Sequence, residues 1–222
     1  MQLQARVDKK RLDPYDRKTL RREMGLFEEW FCQAFLGMGL SADEQALIAN
    51  CLTLLEDAAL AQATVAVHRD YHSRNLMLVP DRGDHTGPGI IDFQDARNGP
   101  YTYDLVSLLR DCYIRWPQAQ VEAWGRQYLQ RAQAAGIATD VSATQFSRDF
   151  DLMGMQRHLK VMGIFSRLCI RDHKSGYLAD IPLVIQYFLQ VGRRYPELGF
   201  FIQWFEDRVL PLAREKLPII EG

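Results

Sequence analysis

Cysteine is sparse in these 222 residues, and Cys32, Cys51, Cys112 and Cys169 form no C-x-x-C pair. Scattered single thiols argue against a zinc ribbon or a disulfide framework. They fit a reducing compartment, so a cytoplasmic location is expected. No run approaches the ~20 apolar residues that cross a bilayer. Met1-Gln2-Leu3-Gln4-Ala5-Arg6 lacks the apolar core of a signal peptide, and no membrane association is expected. Charge imbalance is missing too: 27 Lys and Arg against 28 Asp and Glu leave a formal net charge of −1. That gives no electrostatic footprint for nucleic acid. Neither G-x-G-x-x-G nor G-x-x-x-x-G-K-[ST] occurs, so no glycine-rich phosphate loop of either kind is present. Internal repeats, low-complexity tracts and long linkers are likewise absent. What is there is an apolar fraction of 47%, enough for a sizeable core.

The most informative stretch runs from Val65 to Asp95. It opens with His68-Arg69-Asp70-Tyr71-His72-Ser73-Arg74-Asn75, of the form H-R-D-x-x-x-x-N, and closes with Ile91-Asp92-Phe93-Gln94-Asp95. A phosphoryl group moves through a loose transition state, so a protein that transfers it mostly positions groups and neutralises charge. One carboxylate must accept a hydrogen bond from the attacking hydroxyl, and Asp70 is the candidate. Magnesium takes hard oxygen ligands and few protein ones; Asn75 offers an amide oxygen and Asp92 a carboxylate. A polar loop between two apolar runs can be a plain hairpin connection. Three coupled features at workable spacing point instead to a phosphotransferase site. His68 and Arg69 are expected to brace the loop backbone. Thr64-Val65-Ala66-Val67, Leu76-Met77-Leu78-Val79 and Gly89-Ile90-Ile91 read as short strands, with turn chemistry over Asp81 to Pro88.

The rest reads as helix. Asp13-Pro14 suggests a helix start, followed by Leu20, Met24, Phe27, Trp30, Phe31 and Ala34 at helical spacing, with Arg21 and Arg22 on the solvated side. Gly37 and Gly39 end that helix, and Ser41 to Glu44 form a capping box for the next. Asn98-Gly99-Pro100 reads as a turn. Asp104, opening the following helix, is either an ordinary N-cap or an anchor for the Asp70 loop backbone. Further helices begin at Pro117 and Asp180-Ile181-Pro182, with a long one between them. On the long one Gln156, Arg157, His158 and Lys160 are either the wet face of an amphipathic helix or a set of donors for a sugar or an acidic substituent. The fold expected is α+β and mainly helical, one domain over residues 1–222 with a small β insert carrying the chemistry.

The stretches HRDYHSRNLML (His68 to Leu78), IIDFQDA (Ile90 to Ala96) and GPYTYDLVSLLRDCYIRWP (Gly99 to Pro117) resemble the aminoglycoside phosphotransferase/choline kinase family, whose fold is that of protein kinases. RDFDLMGMQRHLKVMGIF (Arg148 to Phe165) and GYLADIPLV (Gly176 to Val184) look like one branch, the cytoplasmic kinases that phosphorylate the anomeric hydroxyl of N-acetylmuramic acid and N-acetylglucosamine in cell-wall recycling. The resemblance runs from about Asp13 to about Leu198 and implies the C-terminal lobe of a kinase-like fold. It further implies Asp70 as catalytic base, Asn75 and Asp92 as magnesium ligands, Asp104 as buttress of the loop, ATP as co-substrate and an amino sugar as acceptor. Asp95, Gln156, Arg157 and Lys160 become candidate sugar contacts. Gln94 stands where protein kinases carry a mobile glycine, which argues against an activation flip there. The family's glycine-rich hairpin, its ATP-pairing lysine and its hinge lie before the region where this chain begins. The chain alone is therefore expected to bind ATP poorly, to turn over slowly or not at all, and to self-associate through the surface an absent lobe leaves open. The alternatives are an aminoglycoside, choline or homoserine kinase lobe, or a non-catalytic sugar- or protein-binding lobe.

Overall fold

The computed structural model describes residues 1–79 and 87–217. A short helix, α1 (Gln2–Arg6), and a 3₁₀ turn (Lys9–Arg11) lead to an extended segment. The sequence predicts a helix start at Asp13-Pro14; the structure moves it to Asp16, whose side chain accepts the Thr19 N–H and caps α2 (Arg17–Leu26). The reason is backbone pairing. Asn98 N–H donates to the Asp13 carbonyl at 2.9 Å and Tyr15 N–H to the Asn98 carbonyl at 2.8 Å, so residues 13–15 stay extended. Helix α2 continues as a π-helical stretch (Phe27–Phe35). The wider turn shifts the apolar stripe out of 3.6-residue phase: Phe27 and Phe31 are buried, Trp30 only partly, and Ala34 is exposed. Ser41 and Glu44 form the expected capping box at the start of α3 (Ala42–Leu60).

Strand β1 (Thr64–Val67), a 3₁₀ turn (Ser73–Asn75), β2 (Leu76–Met77), β3 (Gly89–Ile90) and β4 (Arg97–Pro100) follow. Then come α4 (Tyr103–Leu109), α5 (Gln118–Ala134), α6 (Ala143–Asp172), α7 (Ile181–Gly192), α8 (Gly199–Trp204) and α9 (Leu210–Lys216), with a second π-helical stretch (Phe205–Val209) before α9. The mainly helical α+β architecture expected from the sequence is the one found. Of the turn expected over Asp81 to Pro88, residues 81–86 lie outside the described residues.

Asn98-Gly99-Pro100 is not a turn but part of β4. It pairs antiparallel with β1, from Thr64 opposite Pro100 to Val67 opposite Arg97. A Cβ on Gly99 would stand 2.9 Å from Val67 Cγ2 and 3.1 Å from Tyr15 Cβ. The glycine therefore serves close packing of the 13–15 segment over the strand rather than chain reversal. A second antiparallel ladder sets Leu76 opposite Ile90 and Met77 opposite Gly89.

The chain divides into two compact units, Met1–Tyr15 with Gln62–Phe150, and Asp16–Ala61 with Asp151–Gly222. In the first, buried Val65, Ala66 and Val67 of β1 join Tyr101, Tyr103 and Val106. The Tyr101 carbonyl accepts from Gln4 Nε2 at 3.1 Å and from the Tyr128 hydroxyl at 2.5 Å. In the second, Phe27 stacks on Phe205 at 6.1 Å, with Phe188 5.2 Å from Phe205. Arg21, expected in solvent, instead grips the fully buried Glu56: its Nε donates to Oε1 and its Nη2 to Oε2 at 2.9 Å, beside Arg17 Nη1 at 3.1 Å. A carboxylate without water requires such donors.

Candidate active site

The loop after β1 is held from beneath by one carboxylate. Asp104, buried in the first turn of α4, accepts the His68 N–H at 2.8 Å with Oδ2 and the Arg69 N–H at 3.0 Å with Oδ1. Arg69 adopts φ +77°, a left-handed conformation that a residue with a Cβ avoids unless its surroundings enforce it. Its guanidinium donates to the Asp95 carbonyl at 3.3 Å and lies 5.5 Å from the Tyr15 ring centre. The imidazole of His68 is fully buried, edge-on to Tyr71 at 5.9 Å. Burial, with a smaller effect of the Asp104 charge, pushes the Tyr71 phenol above its usual range and keeps it protonated. The left-handed turn at Arg69 leads the chain away from the β1 axis at Asp70.

Asn75 joins the two ends of the constellation. Its Nδ2 donates to the Asp70 carbonyl at 2.9 Å and lies 3.4 Å from Asp92 Oδ2. The Ile91 N–H donates to the Asn75 carbonyl at 3.2 Å, bringing the segment after β3 alongside the loop. Asp92 also has a left-handed backbone, φ +66°, and its Oδ1 accepts from Gln94 Nε2 at 2.6 Å. Among the described residues, neither the Asp70 carboxylate nor Asn75 Oδ1 makes a hydrogen bond. The oxygens of Asn75 and Asp92 are hard donors of the kind magnesium takes, and a two-residue protein set suits an ion that keeps several waters. Asp95 is exposed on the same segment.

One carboxylate in this region has no counterpart in the sequence reading. Asp111, at 2% exposure just beyond α4, accepts the Ser73 N–H at 3.0 Å and the Ser73 hydroxyl at 2.6 Å on Oδ2, and the Tyr113 N–H at 3.0 Å on Oδ1. Around it, His72 meets Tyr113 edge-on at 5.3 Å, and the Arg74 guanidinium sits 3.5 Å from the same ring centre. No local pattern in the sequence marks Asp111, which lies past the end of α4 and meets a residue thirty-eight positions earlier.

Gln156, Arg157, His158 and Lys160 lie in the second unit and are all buried, which overturns their reading as a wet face. Lys160 Nζ stands 3.0 Å from Glu23 Oε2, both side chains largely withdrawn from water. The His158 ring stacks on Tyr187 at 5.6 Å.

A loop carrying base and metal-ligand candidates, braced by a helix carboxylate, defines a class. Residues 5–139 match the model of the phosphotransferase enzyme family, and the chain belongs to that family. More particularly, it is similar to N-acetylmuramate/N-acetylglucosamine kinases. It is 48% identical to that of Pseudomonas putida and 44% to that of Pseudomonas aeruginosa, in each case over 85% of this chain and 54% of the relative. It is 46% identical to that of Neisseria meningitidis serogroup B, over 85% of this chain and 55% of the relative. The chain spans about half the length of the curated relatives it matches. Among the described residues no helix is long and apolar enough to cross a membrane.

Proposed function

We propose that the chain carries the catalytic loop of a small-molecule kinase that moves the γ-phosphoryl group of ATP to the anomeric hydroxyl of N-acetylmuramic acid or N-acetylglucosamine. The observation that carries this reading is the Asn75 amide, bonded to the Asp70 carbonyl and set against the Asp92 carboxylate. The acceptor class rests on the names of the relatives.

Asp70 accepts the hydrogen bond of the attacking hydroxyl and aims its oxygen. The proton passes to the Asp70 carboxylate as the new O–P bond forms and the bond to the departing ADP oxygen breaks. Asn75, through Oδ1, and Asp92 would hold magnesium, which would supply positive charge to offset that on the phosphate oxygens. Asp104 fixes the loop backbone so that these groups do not have to be reoriented during the reaction.

The test is prolonged incubation of the chain with magnesium-ATP and a panel of acceptors: both amino sugars, an aminoglycoside, choline and homoserine. Phosphorus NMR reads the product. Slow formation of an anomeric sugar phosphate, reduced about a hundredfold or more by Asp70→Asn, is the expected result. Transfer that survives this substitution overturns the proposal. So does calorimetry in which neither sugar nor magnesium-nucleotide binds.

A further inference from the structure

We infer that Asp111 is a positioning residue for Asp70 and Asn75, acting through Ser73, and that the catalytic loop is clamped at two points rather than one. The inference rests on the kinase reading of that loop. Asp104 holds its entry, the amides of His68 and Arg69. Beyond Asp70 the backbone makes a single 3₁₀ turn (Ser73–Asn75), closed by the Asn75 N–H on the His72 carbonyl at 3.0 Å. One such turn fixes several dihedral angles for one hydrogen bond and is weak alone. Asp111 supplies what the turn lacks. It takes both donors of Ser73, the first residue of the turn, and with its other oxygen the Tyr113 N–H.

The Tyr113 ring in turn meets the residues on either side of Ser73, His72 edge-on and Arg74 by its guanidinium. Residues 72, 73 and 74 therefore all end on the 111–113 segment. The next residue, Asn75, sets its amide against the Asp70 carbonyl and Asp92. Asp111 itself does not touch the reacting groups. Its Ser73-facing oxygen is fully engaged, and its burial keeps water from substituting for either donor.

Asp111→Asn keeps the shape and removes one of the two acceptor oxygens; Ser73→Ala removes only the hydroxyl bond. Hydrogen exchange by NMR on the whole chain reads the backbone and side-chain amides of Asn75. The His68 and Arg69 amides, held by Asp104, serve as internal controls. In Asp111→Asn, exchange at Asn75 is expected to rise about tenfold or more while His68 and Arg69 stay within about twofold of wild type. Ser73→Ala is expected to give a smaller rise in the same pattern. Magnesium titrated against the Asn75 and Asp92 resonances should bind about tenfold more weakly in Asp111→Asn, a change that a purely structural residue would not produce at constant His68 protection. Unchanged Asn75 exchange overturns the inference, and so does a parallel rise at His68 and Arg69. Where Asp111→Asn does not fold, Ser73→Ala decides on the same readouts. A wild-type chain whose Asn75 and Asp92 signals ignore magnesium would count against the kinase reading; Asn75 exchange would still decide the clamp.

Discussion

The side-chain nitrogen of Asn75 bonds the carbonyl of Asp70 at 2.9 Å and faces Asp92 Oδ2 at 3.4 Å. One amide thus ties the candidate base's own backbone to the candidate metal ligand. Asn75→Ala is expected to lower unfolding free energy by only about 1 kcal/mol, the usual net worth of one such bond. It should also abolish the magnesium response of Asp92. Urea unfolding and a magnesium titration followed by NMR check the two halves.

Asp104 bears a larger structural burden. Asp104→Ala leaves the amides of buried His68 and partly buried Arg69 without their acceptor. At about 1–3 kcal/mol for each unsatisfied donor, a loss of about 2–6 kcal/mol in unfolding free energy is expected. Asp104→Asn, which keeps one oxygen, should fall between this variant and wild type in the same measurement.

The second unit should carry an acid-sensitive lock. The Ser41 N–H, then the Trp204 indole and the Arg208 guanidinium, donate to Glu44 and pull its carboxyl from 4.5 to about 2. A depressed pKa means that unfolding takes up a proton as the pH falls. The stabilisation from Glu44 is therefore complete above about pH 4.5 and is lost progressively from there toward pH 2. Glu44→Gln is expected to flatten the acid limb of a thermal-stability profile across that window and to leave its slope near neutrality unchanged.

Two glycines of the second unit should respond in opposite directions to alanine. A Cβ at Gly163 would overlap the Leu26 carbonyl, which is backbone and cannot swing aside. Gly163→Ala is expected to cost about 1–3 kcal/mol or more. Gly25, within α2, has nothing within 4 Å of the same added atom. There alanine should add up to about 1 kcal/mol by helix propensity. Melting temperatures that move the same way in both variants would contradict this packing.

Met77, Leu78 and Phe93 are 50%, 100% and 65% exposed, with Val79, Ile90 and Ile91 also open. Such a run of apolar side chains favours association, and we propose that copies of this chain self-associate through it. Light scattering should show mass rising with concentration, and Leu78→Glu should suppress the rise. A mass independent of concentration in the wild type would refute it.

The candidate loop, His68 to Asn75, stands out in the sequence because its residue types and spacing suit one chemistry, and the Ser41–Glu44 capping box was legible because it is local. What stayed hidden depended on partners far along the chain. β4 is written in Asn, Gly and Pro, turn residues by composition, yet β1 and the 13–15 segment recruit them into a ladder. Arg21 looked solvated because nothing near it in sequence announces the buried Glu56. The helix start fell on Asp13 instead of Asp16 because local capping chemistry cannot see Asn98 competing for the same backbone. Asp111 carries no local signal because its partner, Ser73, is thirty-eight residues away.

Arg69 and Asp92, both in left-handed backbone, flank the loop in sequence. Glycine would adopt either conformation without penalty, and each non-glycine residue forgoes about 1–2 kcal/mol to stay there. A thermostability screen would therefore tend to select glycine at position 92, and the winners would hold together better while losing the very carboxylate whose aim the strain secures.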